Sequence, residues 1–312
     1  MKIRLSVLFF LIVGLCCLPL RAEKEKEPEF KTEHHNWKLA GMVSGSMNVI
    51  QFSDWQAGGS DTVTINGRGE FWAVRSTERF EWKNRLRSEF GVSKTNGESF
   101  RNSTDSLKLD SRFERKFNAK AKAYCRGYLE THFVKQYVYF DSRKDIILDD
   151  DKVYTNVEKF RISQGFDPIK LEQGLGMGYT LYRTEDKSTE ITIMSGLGAR
   201  QLITDSYRIA EDIDTTPAIE FYTVKDDSEF GIEVVLDTLV TLNKHAKFTS
   251  FAVLFYGLDD NLWRVRWDNS LEVTLSRYVG LGLTADVIYD ESVFDGAQYK
   301  TGALLTLSYR VF

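Results

Sequence analysis

The sequence predicts an all-β protein: a transmembrane antiparallel up-and-down β-barrel of about twelve strands with both termini in the periplasm. Three observations lead there. The last stretch, 298–312, sets Tyr299, Thr301, Ala303, Leu305, Leu307, Tyr309 and Val311 against Lys300, Gly302, Leu304, Thr306, Ser308, Arg310 and Phe312, and a period of two belongs to strands. A chain that ends on a long amphipathic strand must cover that strand's edge, and pairing with the first strand closes a barrel. The connections between such segments sort by parity, short after even strands and long after odd ones, as in membrane barrels with short periplasmic turns.

The elements follow in order. Residues 1–22 read as a signal peptide, with Lys2 and Arg4, an apolar run from Leu5 to Leu20, and Ala22 at the cleavage point. The run is short for a membrane helix, which needs about 20 residues. Residues 23–35 form a charged leader, expected to be a mobile periplasmic tail, and 36–312 form the barrel domain. The first strand covers 37–52, and a turn-rich loop holding Trp55, Gly58 and Gly59 follows. The second, 62–75, places Val63, Ile65, Phe71 and Ala73 opposite Thr64, Asn66, Arg68 and Glu70. The third, 78–92, has Phe80, Trp82, Leu86, Phe90 and Val92 on one row and Arg79, Glu81, Lys83, Arg85, Arg87 and Glu89 on the other. A helix would scatter those charges around its circumference.

Strands four and five, 103–115 and 119–135, repeat the pattern. Lys108, Asp110, Arg112 and Glu114, then Lys122, Arg126, Glu130 and His132, oppose Leu107, Leu109, Phe113, Ala121, Cys125, Leu129 and Phe133. Residues 136–167 read as the longest connection. Strands six and seven, 169–182 and 189–202, carry Gly174, Gly176, Gly178, Gly196 and Gly198 on their inward rows. Glycine weakens a strand, so these positions make room for bulky neighbours or permit bending. A second long connection covers 203–227, in which 218–224 can extend a strand above the membrane. The last strands are 230–242, 245–256, 262–276, 279–290 and 298–312, with Trp263 and Trp267 outward on the tenth.

Removing Lys2, Arg4 and Arg21 with the signal leaves 38 of 41 basic residues against 45 acidic ones, which shows no basic footprint for nucleic acid. Cys16 and Cys17 leave too, so Cys125 stands alone, without an internal disulfide, at a position suited to a lipid-facing wall. The inward charges Arg68, Glu70, Arg79, Glu81, Lys83, Arg85, Arg87, Glu89, Lys108, Asp110, Arg112, Glu114, Lys122, Arg126 and Glu130, with His132, are the candidate lumen lining. They fit either a selectivity surface for a charged solute or a network of cross-strand pairs packing the interior. His132 beside Glu130 is a candidate for acid–base work, but a hydrolase needs a serine within hydrogen-bond reach of it. Asp149, Asp150 and Asp151 diverge in direction and read as a solvated charge run, not a calcium site. Trp55 with Gly58 and Gly59 reads as a structural turn with an indole packed on the rim.

The Trp55, Gly58, Gly59 loop after an amphipathic strand, Trp82 and Gly91, and Thr104-Asp105-Ser106 resemble a family of uncharacterised outer-membrane proteins, domain of unknown function 3078. Ser163-Gln164-Gly165-Phe166-Asp167-Pro168 and Tyr289-Asp290 extend the resemblance along the mature chain. It implies an outer-membrane barrel of a Gram-negative bacterium and no assigned substrate. Many such barrels end in an aromatic, one residue and Phe; here Tyr309 and Phe312 stand one residue wider. The function expected is a narrow channel or uptake pore for a small polar solute, with a structural or assembly barrel plugged by its charges as the alternative and an outer-membrane enzyme as a remote third. No catalytic residue, cofactor or metal is expected. The expected partners are outer-membrane lipid and lipopolysaccharide, the barrel-assembly machinery and a small polar solute.

Overall fold

The computed structural model describes residues 32–34, 36–50, 62–95, 100–149, 152–186, 188–211, 218–276, 279–291 and 297–310. Every regular element among them is a strand. In chain order these are β1 (Thr32–His34), β2 (Trp37–Ile50), β3 (Thr62–Ser76), β4 (Phe80–Thr95), β5 (Arg101–Lys116), β6 (Ala121–Thr131), β7 (Gln136–Leu148), β8 (Val153–Ser163) and β9 (Ile169–Arg183). The remainder are β10 (Thr189–Ile203), β11 (Arg208–Glu211), β12 (Ile219–Thr223), β13 (Asp227–Asn243), β14 (Ala246–Gly257), β15 (Trp263–Thr274), β16 (Val279–Asp290) and β17 (Gln298–Arg310).

Closure rests on β2. It pairs with β3 from Trp37↔Arg75 to Ile50↔Thr62 and, on its other edge, with β17 from Leu307↔Gly45 to Arg310↔Met42. The ring runs β2, β3, β4, β5, β6, β9, β10, β13, β14, β15, β16, β17 and back, twelve strands joined by antiparallel ladders. Among the described residues each barrel strand thus has a ladder partner on both sides, although the β17–β2 seam spans only four pairs.

The faces follow the sequence alternation. Outward residues such as Met47, Phe71, Trp82, Leu86, Phe90, Leu109, Phe113, Leu175, Leu197, Ile232 and Trp263 are exposed. Cys125 is exposed on this same wall. The inward rows include buried Ala40, Tyr124, Tyr128, Met194, Val235, Val253 and Phe255. Aromatic rings gather at both ends of the outer wall: Trp37 and Trp82 lie 5.2 Å apart beside the short turns, and Tyr256 and Trp263 lie 4.7 Å apart at the other end.

The short connections, 77–79, 117–120, 184–188, 244–245 and 275–278, all sit at one end of the ring. Each is closed by a side-chain acceptor for a backbone N–H two or three residues on, the chemistry that makes Thr, Asn, Asp and Ser turn formers. Phe80 N donates to Thr77 Oγ1 at 3.0 Å, Ala121 N to Asn118 Oδ1 at 2.8 Å, and His245 N to Asn243 Oδ1 at 2.7 Å. Ser188 N donates to Asp186 Oδ1 and Val279 N to Ser276 Oγ.

Three expectations are corrected. The leader is not wholly a tail, because Thr32–His34 pairs with Leu39–Trp37 as β1. Residues 136–167 are not a plain connection: β7 and β8 form a hairpin within them. Residues 219–223 do form a strand, but β12 extends no barrel strand. It pairs in parallel with β7 through Ile219↔Ile146 to Phe221↔Leu148, and β11 pairs with β12. The two longest connections thus build a separate four-stranded sheet, ordered β11-β12-β7-β8. It has its own core of Ile146, Leu148, Phe160 and Phe221, against which Val138, Phe140, Val157, Ile162 and Ile219 pack.

Candidate functional site

The candidate site is the barrel lumen, and its charges arrive there by register. On β3, β4, β5 and β6 they occupy the row opposite the exposed apolar one, where unlike charges meet mostly along a strand or diagonally across the ladder, because several direct partners, such as Glu81↔Glu114 and Lys83↔Arg112, are alike in sign. Glu70 is buried between Arg68, which contacts it, and Arg85, whose Nη2 donates at 2.8 Å. Arg68 also lies 3.4 Å from Glu89. Glu81 contacts Lys83 and accepts from Lys116 at 2.9 Å. Glu114 accepts from Lys122 at 2.8 Å and lies 3.0 Å from Arg112. Arg87 is 3.5 Å from Asp110, and Lys108 is 3.3 Å from Glu130, which also accepts from the Tyr128 hydroxyl at 2.7 Å.

Further ties leap across strands. Glu233, 0% exposed, accepts from Arg126 Nη2 at 2.5 Å and from the Tyr124 hydroxyl at 2.8 Å. Arg126 also reaches Glu172 at 3.3 Å, and Glu172 accepts from Arg266 at 3.2 Å. Arg112 donates to Asp237 at 2.7 Å. In ring order β5 and β13 are four places apart, as are β9 and β15, so these ties are chords cutting across one sector. An apolar cluster of Tyr124, Met194, Val235 and Val253 occupies the same sector. Gly174 stands where an added Cβ would lie 1.9 Å from Glu233 Oε1, so glycine there makes room for the buried carboxylate, one of the two roles the sequence suggests.

The opposite sector differs. The inward row of β2 runs Lys38, Ala40, Met42, Ser44 and Ser46, and that of β16 runs Gly280, Gly282 and Thr284 before Asp286. Charges that flank this sector remain wet: the side chains of Lys83 and Arg85 are 46% and 36% exposed, and that of Asp268 is 46% exposed. Exposure in this sector is uneven, since Ala40, Ser44 and Glu70 are buried within it.

Two of the lining candidates lie elsewhere. Arg79 falls in the exposed 77–79 turn, where its carbonyl accepts from Lys116 N, because β4 starts one residue later. His132 follows the end of β6, and its Nε2 is 2.8 Å from Ser163 Oγ at the end of β8. That is the serine contact a hydrolase needs, but Ser163 is 1% exposed, so the pair fastens the base of the hairpin and leaves no room for substrate. Neighbouring aspartates do similar work. Asp105 accepts from Phe133 N, Val134 N and Gln136 Nε2. Asp167 accepts from Thr204 Oγ1, Asp205 N, Ser206 N and Ser206 Oγ. Burial opposes ionisation of Asp167, but these donors outweigh it and hold its carboxyl below the usual range. Asp149 accepts from Thr223 N at 2.9 Å, tying β12 to the end of β7. Asp150, Asp151, Trp55, Gly58 and Gly59 lie outside the described residues.

Sequence reasoning did not single out Glu172, Glu233 or Asp237. The signal for Glu172 was its place on the glycine row, where small neighbours imply that something large needs the space.

The strands carrying the densest run of inward charge also carry the relationship to known sequences. Residues 47–137 match the family described as Protein of unknown function (DUF3078). The DUF3078 match takes in Trp55, Gly58, Gly59, Trp82, Gly91 and Thr104–Ser106. Ser163–Pro168 and Tyr289–Asp290 lie beyond it, so the matched part is the β2–β7 portion and not the whole mature chain. No curated protein matches in sequence. Among solved structures, the chain is similar to the translocator domain of autotransporter NalP from Neisseria meningitidis, with 11% identity over 90% of each chain and a TM-score of 0.43. It is also similar to the COG4313 outer membrane channel from Pseudomonas putida F1, with 11% identity, 91% of this chain and 98% of that one covered, and a TM-score of 0.38. The NanC porin structure is 8% identical over 86% of this chain and 97% of that one, with a TM-score of 0.37.

Proposed function

We propose that the chain is an outer-membrane channel of a Gram-negative bacterium that passes a small polar solute along one side of its lumen. The observation that carries this reading is the uneven filling: chords and apolar packing occupy the β5–β15 sector, while the side chains of Lys83, Arg85 and Asp268 stay more than a third exposed. A lumen plugged throughout would leave charges such as Lys83 and Asp268 dry.

The membrane location rests on the outer wall. A row of exposed Leu, Ile, Phe and Trp around a closed ring is far more apolar surface than a soluble protein leaves in water, and it suits hydrocarbon flanked by aromatic girdles. Lipid and lipopolysaccharide are its partners there, and the short-turn end faces the periplasm. In a Cys125→Ser background, a cysteine at Leu109 is expected to escape a water-soluble maleimide in intact outer membranes, and one at Asp110 to react. The reverse pattern would invert the faces and remove the reading.

Flux tests the channel itself. In proteoliposomes the protein is expected to pass glycerol, and Ser46→Trp, which sets a large ring on the inward row of β2, to cut that flux severalfold with the unfolding midpoint retained. If the unaltered protein passes no glycerol, the lumen is closed, and the barrel is a scaffold presenting its loop-built sheet.

A further inference from the structure

In the lumen Lys83, Arg85 and Lys108 each meet a carboxylate. Among the described residues Lys159 and Arg161 of the loop-built sheet meet none, and Glu158, next to Lys159 in the chain, is held by Arg143 at 2.9 Å. On the β7–β8 hairpin, register sets Tyr137 opposite Arg161, Val138 opposite Phe160 and Tyr139 opposite Lys159. Directly opposed residues share a face, and Val138 and Phe160 belong to the core of the sheet. Tyr137, Tyr139, Lys159 and Arg161 therefore occupy the other face together. The two tyrosine rings lie 6.4 Å apart, Lys159 Nζ stands 5.3 Å from the centre of the Tyr137 ring, and the guanidinium of Arg101 covers Tyr139 at 4.4 Å. An aromatic ring positions a cation without neutralising it, so an arriving anion meets charge that is already ordered and loses less to immobilising side chains.

The surroundings identify the source of that anion. Arg101 is the first residue of barrel strand β5, so its contact with Tyr139 sets this face at the rim of the long-loop end. Exposed apolar rings stand on the same rim: Phe100, over which Lys94 lies at 5.8 Å, and Phe166, 6.1 Å from Phe133, are both exposed. A soluble anion has no use for exposed phenylalanines, whereas cations interleaved with apolar rings suit a membrane interface that carries anionic headgroups. We propose that this face docks the phosphate groups of lipopolysaccharide in the outer leaflet. The proposal rests on the outer-membrane reading and is independent of passage through the lumen.

The test measures binding of rough lipopolysaccharide to the full chain in detergent micelles. The unaltered protein is expected to bind it saturably, and Lys159→Gln with Arg161→Gln together to weaken binding about 25-fold, since each Lys or Arg near an anionic surface contributes about fivefold. Lys120→Gln with Lys244→Gln removes the same charge from exposed turns at the opposite end and should leave binding nearly unchanged, because screening confines each charge to about 10 Å. Enzymatic removal of the phosphates from the lipopolysaccharide should weaken binding as much as the first pair of substitutions, and this arm needs no variant to fold. Equal binding by the two double variants overturns the assignment to this face. Undiminished binding of the dephosphorylated lipid overturns phosphate recognition, and displacement by inorganic phosphate at equal phosphate concentration marks a soluble-anion site and overturns the membrane source. Glycerol flux, read on the same preparations, keeps the two readings apart: a barrel that passes no glycerol but binds lipopolysaccharide through Lys159 and Arg161 upholds the docking face while the channel reading falls.

Discussion

Glu233→Ala is expected to lower the stability of the folded barrel by about 3 to 5 kcal/mol, the range for removing one partner of a buried ion pair. The carboxylate is fully buried and accepts from Arg126 Nε at 3.0 Å, from Arg126 Nη2 at 2.5 Å and from the Tyr124 hydroxyl at 2.8 Å. Alanine would leave the Arg126 charge with Glu172 alone and the tyrosine hydroxyl without its acceptor, in a sector packed by Met194, Val235 and Val253. Unfolding in urea, followed by the mobility difference between folded and unfolded barrel on gels, reads the loss. The exposed Arg143–Glu158 pair of the loop sheet is the control, because its side chains are 57% and 68% exposed. Arg143→Ala there should cost about 1 kcal/mol or less. A Glu233→Ala loss no larger than that control's would mean that the chords decorate the lumen without bracing it.

The contrast between those two pairs marks what alternation can and cannot reveal. The rows of β4 and β5 were legible because lipid-side and lumen-side residues differ in polarity at every step, and a period of two then assigns each side chain a face. The neighbours within a ladder followed, so pairs such as Arg87–Asp110 and Lys108–Glu130 were within reach of pattern reasoning. The chords were not. Arg112 and Asp237 sit on strands four places apart, and their meeting depends on ring closure and stagger, which no local pattern encodes. Arg79 was misplaced for the opposite reason: it continues the charged row by parity, but the Thr77 turn takes it before the ladder begins.

The loop-built sheet was missed because its pairing is irregular and distant. The β7–β8 ladder shifts register at three places, between Gln136 and Tyr137, Tyr139 and Lys144, and Lys144 and Ile146, which breaks the alternation that flags a strand. Its other partner, β12, lies beyond two whole barrel strands and pairs in parallel. His132–Ser163 was hidden in the same way, as a contact between the two ends of an insertion. Even so, the apolar run Ile146, Ile147, Leu148 in a connection otherwise rich in charge was a signal that something there is buried.

Phe221→Ala is expected to dissolve that sheet and spare the barrel. The ring is buried and lies 4.9 Å from Phe160, in a cluster whose other buried members are Ile146 and Leu148. Truncating a buried phenylalanine costs about 3 to 5 kcal/mol, more than a sheet with so small a core can lose. The barrel has its own ladders and its own interior cluster, and none of the sheet's four buried core residues belongs to that cluster. The carboxylate clamps at Asp105 and Asp167 tie the loop ends to strand ends and each other through backbone N–H groups, so they remain when Phe221 is shortened. Limited proteolysis should therefore cut within 136–163 and 208–223 in the variant, and hydrogen exchange should rise there, while the barrel's urea midpoint stays within the error of the measurement. A midpoint that falls along with the sheet would show one cooperative unit, in which the loops brace the ring instead of riding on it.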